Sequence, residues 1–98
     1  MVADGMTIDT QQLHRVTIPA TMRHLTGGKE TVAVAGRNIR QVVANLDQAY
    51  PGFAERLLRN GTLAPGVAVA VNSQITGAIL SPLEAPADIY FVPALGGG

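Results

Sequence analysis

Asn38-Ile39-Arg40-Gln41-Val42-Val43-Ala44-Asn45-Leu46-Asp47-Gln48-Ala49-Tyr50-Pro51-Gly52 is the stretch on which the fold turns. Ile39, Val42, Val43, Leu46 and Tyr50 recur at helical spacing and form one apolar stripe. Arg40, Gln41, Asn45, Asp47 and Gln48 fall on other faces. Asn38 is an N-cap candidate, and Gln41 three residues later has the spacing of a capping box. Pro51-Gly52 ends the helix. A second short helical turn is expected from Phe53 to Leu58, with Glu55 and Arg59 spaced as an i,i+4 ion pair.

The flanks are patterned in twos. Upstream, His14-Arg15-Val16-Thr17-Ile18-Pro19 alternates, and so does Glu30-Thr31-Val32-Ala33-Val34. Ala20 to Leu25 reads as an irregular connection and Thr26-Gly27-Gly28-Lys29 as a turn, which together predict an antiparallel hairpin. Downstream, Asn60-Gly61 is a turn. Gly66-Val67-Ala68-Val69-Ala70-Val71-Asn72 is a strand with its valines on one face and its alanines on the other. Asn72-Ser73-Gln74 turns the chain, Ile75 to Leu80 has no decisive pattern, and Ser81-Pro82-Leu83-Glu84 reads as a connector. Asp88 to Val92 is the last strand. The order strand, strand, helix, strand, connector, strand predicts an α+β fold, a sheet of about four to five strands covering one main helix.

The chain has 98 residues, enough for one domain, and 47% of them are hydrophobic. Phe53, Phe91, Tyr50 and Tyr90 are the only aromatics, so Val, Leu and Ile must fill the core. Residues 1–12 are polar and unpatterned and are expected to form a flexible extension. Residues 13–98 are expected to form a single domain that includes a C-terminal tail, 93–98. Seven basic and seven acidic side chains cancel, so no charge surplus points to nucleic acid or a membrane surface. Arg37 and Arg40 read as a solvated face. There is no cysteine, which excludes disulfides, thiolate catalysis and Cys-based zinc. No apolar run approaches the ~20 residues of a membrane span. The first twelve residues lack the basic and apolar regions of an export signal, so a cytoplasmic location is expected. Asn60-Gly61-Thr62 matches a glycosylation sequon and reads here as a turn.

Side-chain chemistry has little support. Gly28-Lys29-Glu30 lacks the preceding glycine and the hydroxyl of a phosphate loop, so ATP binding by this chain alone is not expected. His14 and His24 have neither metal-ligand spacing nor a cysteine partner. Ser73 and Ser81 sit in no nucleophile-elbow motif. Asp47 and Glu55 are not marked as a catalytic pair and read as exposed helix charges. The ending is different: Phe91-Val92-Pro93-Ala94-Leu95-Gly96-Gly97-Gly98 finishes on a glycine carboxylate, ionised at neutral pH because an α-carboxyl titrates near ~3.3–3.7. No side chain crowds that acyl carbon, and glycine reaches backbone angles that let a tail thread a narrow cleft. Pro93 reads as the stop of the last strand. Six residues from there could extend roughly 20 Å, at ~3.3–3.6 Å each. The alternative is an inert, frayed terminus.

Three stretches taken together resemble the MoaD/ThiS family of ubiquitin-like sulfur carrier proteins, in particular the branch that supplies sulfur for cysteine biosynthesis. They are Val16-Thr17-Ile18-Pro19 with Leu25-Thr26-Gly27-Gly28, then Asn38 to Leu46 continuing through Tyr50-Pro51-Gly52-Phe53-Ala54-Glu55-Arg56-Leu57, and finally Val69-Ala70-Val71-Asn72 with the ending from Phe91 to Gly98. The resemblance spans about residues 13–98 and implies a β-grasp fold. It also implies that an E1-like adenylating enzyme uses ATP and a metal of its own to activate Gly98. Sulfide would displace AMP to leave a thiocarboxylate, which would pass to a sulfur-accepting biosynthetic enzyme. Gly98 is then the modified residue, with Gly97, Gly96 and Leu95 threading the partner's active site. The chain would be a carrier rather than an enzyme, with no bound cofactor, nucleic acid or membrane. The family minimum is Gly-Gly, and this chain has three glycines. Residues 1–12 have no family counterpart. A ubiquitin-like modifier joined to target lysines, the small subunit of molybdopterin synthase and a β-grasp interaction module stay open as alternatives.

Overall fold

The computed structural model describes residues 13–84 and 86–93. The expectations for 1–12 and for the tail beyond Pro93 lie outside that range. A five-stranded sheet is built from β1 (Leu13–Thr17), β2 (Thr31–Ala35), β5 (Val67–Val71), β6 (Gln74–Thr76) and β7 (Asp88–Pro93). Its order is β2-β1-β7-β5-β6. β1 pairs with β7 in parallel and every other neighbour is antiparallel, so the sheet is mixed. A short hairpin of β3 (Leu58–Arg59) and β4 (Thr62–Leu63) forms a second, two-stranded sheet. The main helix, α1 (Ile39–Ala49), lies on one face of the large sheet, and α2 (Phe53–Leu57) follows it.

The apolar stripe of α1 explains this layering. Ile39, Val42, Val43 and Leu46 are buried against Val16, Ile18, Val34, Val69, Ile89 and Phe91 from the sheet, with Phe53 and Leu57 closing the end. Each such side chain contributes about 1.5–3 kcal/mol when removed from water. Asn38 caps the helix as expected, its Oδ1 accepting the Gln41 N–H at 2.8 Å. Gln41 Oε1 accepts from the Arg37 N–H at 2.7 Å, one residue earlier than in the standard capping box. Tyr50, the last member of the stripe, is half-buried at the helix C-cap.

Several expectations are corrected. Ala20–Leu25 is not irregular: Ala20–Thr26 is a 3₁₀ helix. Its Met22 side chain is buried, and the Thr26 hydroxyl bonds Arg23 and Lys29 carbonyls at 3.1 and 2.9 Å. Two turns of such a helix are too short to display a period. The Glu55–Arg59 pair does not form. Glu55 meets Arg56 Nη1 at 3.3 Å, because α2 ends at Leu57 and Arg59 is already in β3. The β3–β4 hairpin and β6 were not foreseen, since two- and three-residue strands show no alternation. Turns were expected at Asn60-Gly61 and Asn72-Ser73-Gln74: Asn60-Gly61 and Asn72-Ser73 take positive φ at the two central positions, as a two-residue hairpin loop requires, while Gln74 already belongs to β6. Asp47 is not merely a surface charge. It is half-buried, and its Oδ1 accepts the N–H groups of Gly52 and Ala54, each at 3.0 Å, anchoring α2.

The junction between β2 and α1 is held by a buried histidine. His14 is 1% exposed. Its Nδ1 accepts the Ala87 N–H at 3.1 Å and its Nε2 lies 2.7 Å from the Gly36 carbonyl. A donor on one side and an acceptor on the other assign the neutral tautomer with the proton on Nε2. The ring therefore ties the start of β7 to the exit of β2. Gly36 itself is required by close approach, because a Cβ there would lie 2.6 Å from Val42 Cγ2 and 2.8 Å from Val42 N.

His14→Phe keeps the ring's bulk and leaves the Ala87 N–H and Gly36 carbonyl buried without partners. A loss of about 2–4 kcal/mol is expected in chemical denaturation. Asp47 has a second consequence. The Ala54 and Gly52 N–H groups hold its pKa below the usual carboxylate range. A lowered folded pKa stabilises the fold above the unfolded value of about 3.9, and that contribution is lost as pH falls through the folded value. From about pH 4 downward, wild type should lose stability more steeply than Asp47→Asn, which keeps an acceptor oxygen but cannot titrate; paired denaturation curves measure the difference.

Candidate functional site

The C-terminal strand lies at the centre of the sheet. β7 pairs with β1 from Asp88 to Tyr90 and with β5 from Ile89 to Pro93. Ile89 and Phe91 point into the core and are 0% and 3% exposed. Beyond Tyr90, β1 no longer accompanies the strand, and β5 alone carries it to Pro93, which stands opposite Val67. Pro93 is thus the last residue of the sheet, not the first residue past it. β5 tolerates this because a proline at a strand's end forgoes only one ladder donor. Gly98, Gly97, Gly96 and Leu95, the residues singled out from the sequence, lie outside the described residues.

Among the described residues no element covers the sheet face away from α1. Tyr90 and Val92 point out of it and are 51% and 47% exposed. Ala70 is the register partner of both Tyr90 and Ile75, and Ala68 of Val92. Ile75, in β6, is 71% exposed. An apolar surface therefore leads along β6, β5 and β7 to the point where the tail begins, with small alanines keeping it low between the larger side chains. Three exposed apolar side chains on one sheet face make it a candidate interaction surface. Sequence reasoning did not single out Ile75, Tyr90 or Val92. The signal was there in part, because Ile89-Tyr90-Phe91-Val92 is apolar at both parities, and a strand that is apolar on both faces needs a cover on both.

The other candidates separate. His14 is structural and His24 is exposed in the 3₁₀ helix. Ser73 occupies a hairpin turn and Ser81 an exposed loop. Asp47 and Glu55 face different partners. Among the described residues no group of three or more His, Cys, Asp or Glu could hold a metal ion, and no helix is long and apolar enough to cross a membrane. The described residues give a buried core, a strand β7 that runs to Pro93, and exposed apolar side chains beside it.

The model of the ThiS family matches residues 16–98. This chain belongs to the ThiS family. Among its relatives is the sulfur carrier protein CysO of Mycobacterium tuberculosis, 29% identical over 89 residues that span 85% of this chain and 96% of the relative. The crystal structure of M. tuberculosis CysO aligns with a TM-score of 0.78 and 27% identity, covering 84% of this chain and 99% of that one. A crystal structure of the Amycolatopsis orientalis BexX/CysO complex contains a chain that aligns with a TM-score of 0.80 at 24% identity, over 87% of this chain and 99% of that one. SAMP1 from Haloferax volcanii shares the fold, with a TM-score of 0.73 at 20% identity over 88% and 99% of the two chains. The ThiS-family β-grasp expected from the sequence is the fold observed.

Proposed function

We propose that this chain is a sulfur carrier whose working group is the carboxylate of Gly98. The observation that carries the reading is the placement of β7. Anchored on both sides at Tyr90, it brings the chain to Pro93 at the rim of the sheet, five residues before Gly98. Five residues reach at most about 16–18 Å, enough to enter a partner's active site while the body stays outside. The family match, which runs to residue 98, and the kinship with a sulfur carrier protein support the same conclusion.

The chemistry follows from the acyl group. A carboxylate is a poor acyl donor, so activation must come first. An E1-like enzyme would supply ATP and its metal; a Gly98 oxygen attacks the α-phosphorus, pyrophosphate leaves, and an acyl adenylate forms. Sulfide then attacks the acyl carbon and expels AMP, leaving a thiocarboxylate. This chain contributes positioning rather than catalysis: it is a protein co-substrate, holding the terminal acid on an unhindered glycine run formed by Gly96 and Gly97, with Leu95 at its base. The open face of Ile75, Tyr90 and Val92 gives the activating enzyme its grip. The sulfur is destined for a biosynthetic acceptor, with cysteine formation the class suggested by the relatives' branch, in the cytoplasm. Conjugation to target lysines would draw on the same adenylate, and the product's mass separates the two.

Incubation with an E1-like adenylating enzyme, ATP and sulfide should raise the intact mass by the difference between sulfur and oxygen, localised to Gly98; an unchanged mass with an enzyme shown to be active would exclude the carrier reading. Gly98→Ala should fold normally and lose about 100-fold in transfer, the order of penalty for a misplaced reacting group. Val92→Asp should change stability by no more than about 0.5 kcal/mol and raise the KM for the adenylating enzyme, read from pyrophosphate release at varied carrier concentration.

A further inference from the structure

β2 is an outer strand of the five-stranded sheet, so among the described residues one of its edges has no neighbouring strand. The ladder to β1 fixes which groups face that edge. The Ile18 N–H donates to the Glu30 carbonyl at 2.8 Å. Antiparallel pairs alternate, so Val32 and Val34 exchange their backbone bonds with β1, while Thr31, Ala33 and Ala35 point their N–H and C=O groups outward. Asn45 Nδ2 donates to the outward Ala35 carbonyl at 2.8 Å. Among the described residues, Thr31 and Ala33 keep both groups available. Natural outer strands are usually blunted by charge, proline or a bulge. Thr31-Val32-Ala33-Val34-Ala35 has none of these.

Beneath this edge, between β2 and α1, runs a groove of about 670 Å³. Val32 and Val34 line it from the strand, and Asn45, Gln48 and Ala49 from the helix. Lys29 and Tyr50 also line it: the Lys29 Nζ donates to the Tyr50 hydroxyl at 3.2 Å and sits 5.7 Å from the ring centroid. Lys29 is the one lysine of the chain and the one charged side chain lining the groove. Among the described residues no carboxylate pairs with it. Glu30 is exposed and does not line the groove.

We propose that the β2 edge and this groove bind an extended segment of a partner protein by strand addition. Alternate apolar side chains of the segment enter the groove over Val32 and Val34, and a carboxylate at one end meets Lys29. Main-chain bonds to Thr31 and Ala33 supply affinity, and the groove supplies selectivity. A second copy of this chain fits less well, because antiparallel pairing about Ala33 sets Lys29 of each copy opposite Arg37 of the other, and like charges directly opposite are unfavourable. The site is independent of the reading for Gly98. β1 separates β2 from β7, and the apolar face near the tail lies on β5, β6 and β7. One partner can therefore hold the protein by β2 while another works on its C-terminus.

The test titrates the ¹⁵N-labelled full chain with a capped peptide of alternating valine and threonine ending in two aspartates. Saturable shifts are expected at Thr31, Ala33, Ala35, Gln48 and Ala49, with slowed amide exchange at Thr31 and Ala33. Ala33→Pro removes an outward N–H and leaves the β1 ladder intact, so it should abolish binding while preserving the spectrum elsewhere. Lys29→Glu, an exposed change, should weaken binding about fivefold. Four results would overturn the proposal: no saturable binding, shifts centred on Ile75, Tyr90 and Val92, equal binding of a peptide with lysines in place of the aspartates, or a wild-type dimer that Ala33→Pro converts to monomer.

Discussion

The parallel pairing of β1 with β7 is the constraint on which this molecule depends. Parallel neighbours cannot be joined by a tight turn, so the chain must make a long excursion between Thr17 and Asp88 before it returns beside β1. The helix, the second hairpin and the β5–β6 pair are built inside that excursion. The pairing places the chain's last strand among its first elements, with Val16 and Ile89 side by side and both fully buried. At Ile89 and Tyr90 that strand is held on both sides, by β1 and by β5. It gives the segment after Pro93 a fixed origin.

A second constraint acts at the opposite end of β1 and β7. His14 of β1, Gly36 just after β2 and Ala87 just before β7 are far apart in sequence and meet through one imidazole. The ring satisfies two buried backbone groups that no strand neighbour reaches, which otherwise would cost about 1–3 kcal/mol each. Gly36 lets the backbone come close enough to Val42 for α1 to begin directly above the sheet. The helix stripe then has one way to lie, over Val16, Val34, Val69 and Ile89. Asp47 extends the same logic to α2, spending a carboxylate on backbone N–H groups that a five-residue helix could not satisfy internally.

These constraints leave two surfaces with different characters. The open face carries bulky apolar side chains, Ile75, Tyr90 and Val92, over a floor of alanine. It suits a broad, side-chain-driven contact beside the origin of the tail. The β2 edge instead offers backbone groups and a narrow groove with one cation. The two lie on opposite sides of β1 in the sheet.

The sequence by itself determined the α+β class, the span of α1 with its Asn38 cap, the turns at Asn60-Gly61 and within Asn72-Ser73-Gln74, and the family. All of these rest on local rules: apolar period, capping chemistry, and residues that accept positive φ. Tertiary structure alone decided the rest. Strand order is set by which apolar faces can be buried together, so β7 came to lie between β1 and β5 although nothing in Asp88 to Pro93 names its neighbours. His14, an unremarkable residue in an alternating run, became a buried bridge because folding brought Ala87 and Gly36 to its two nitrogens. Tyr90 and Val92 are as apolar as their neighbours Ile89 and Phe91 in the last strand, and they became surface because α1 covers only one face. Long-range contacts fix these outcomes, and a residue's local neighbours in the chain carry no record of them.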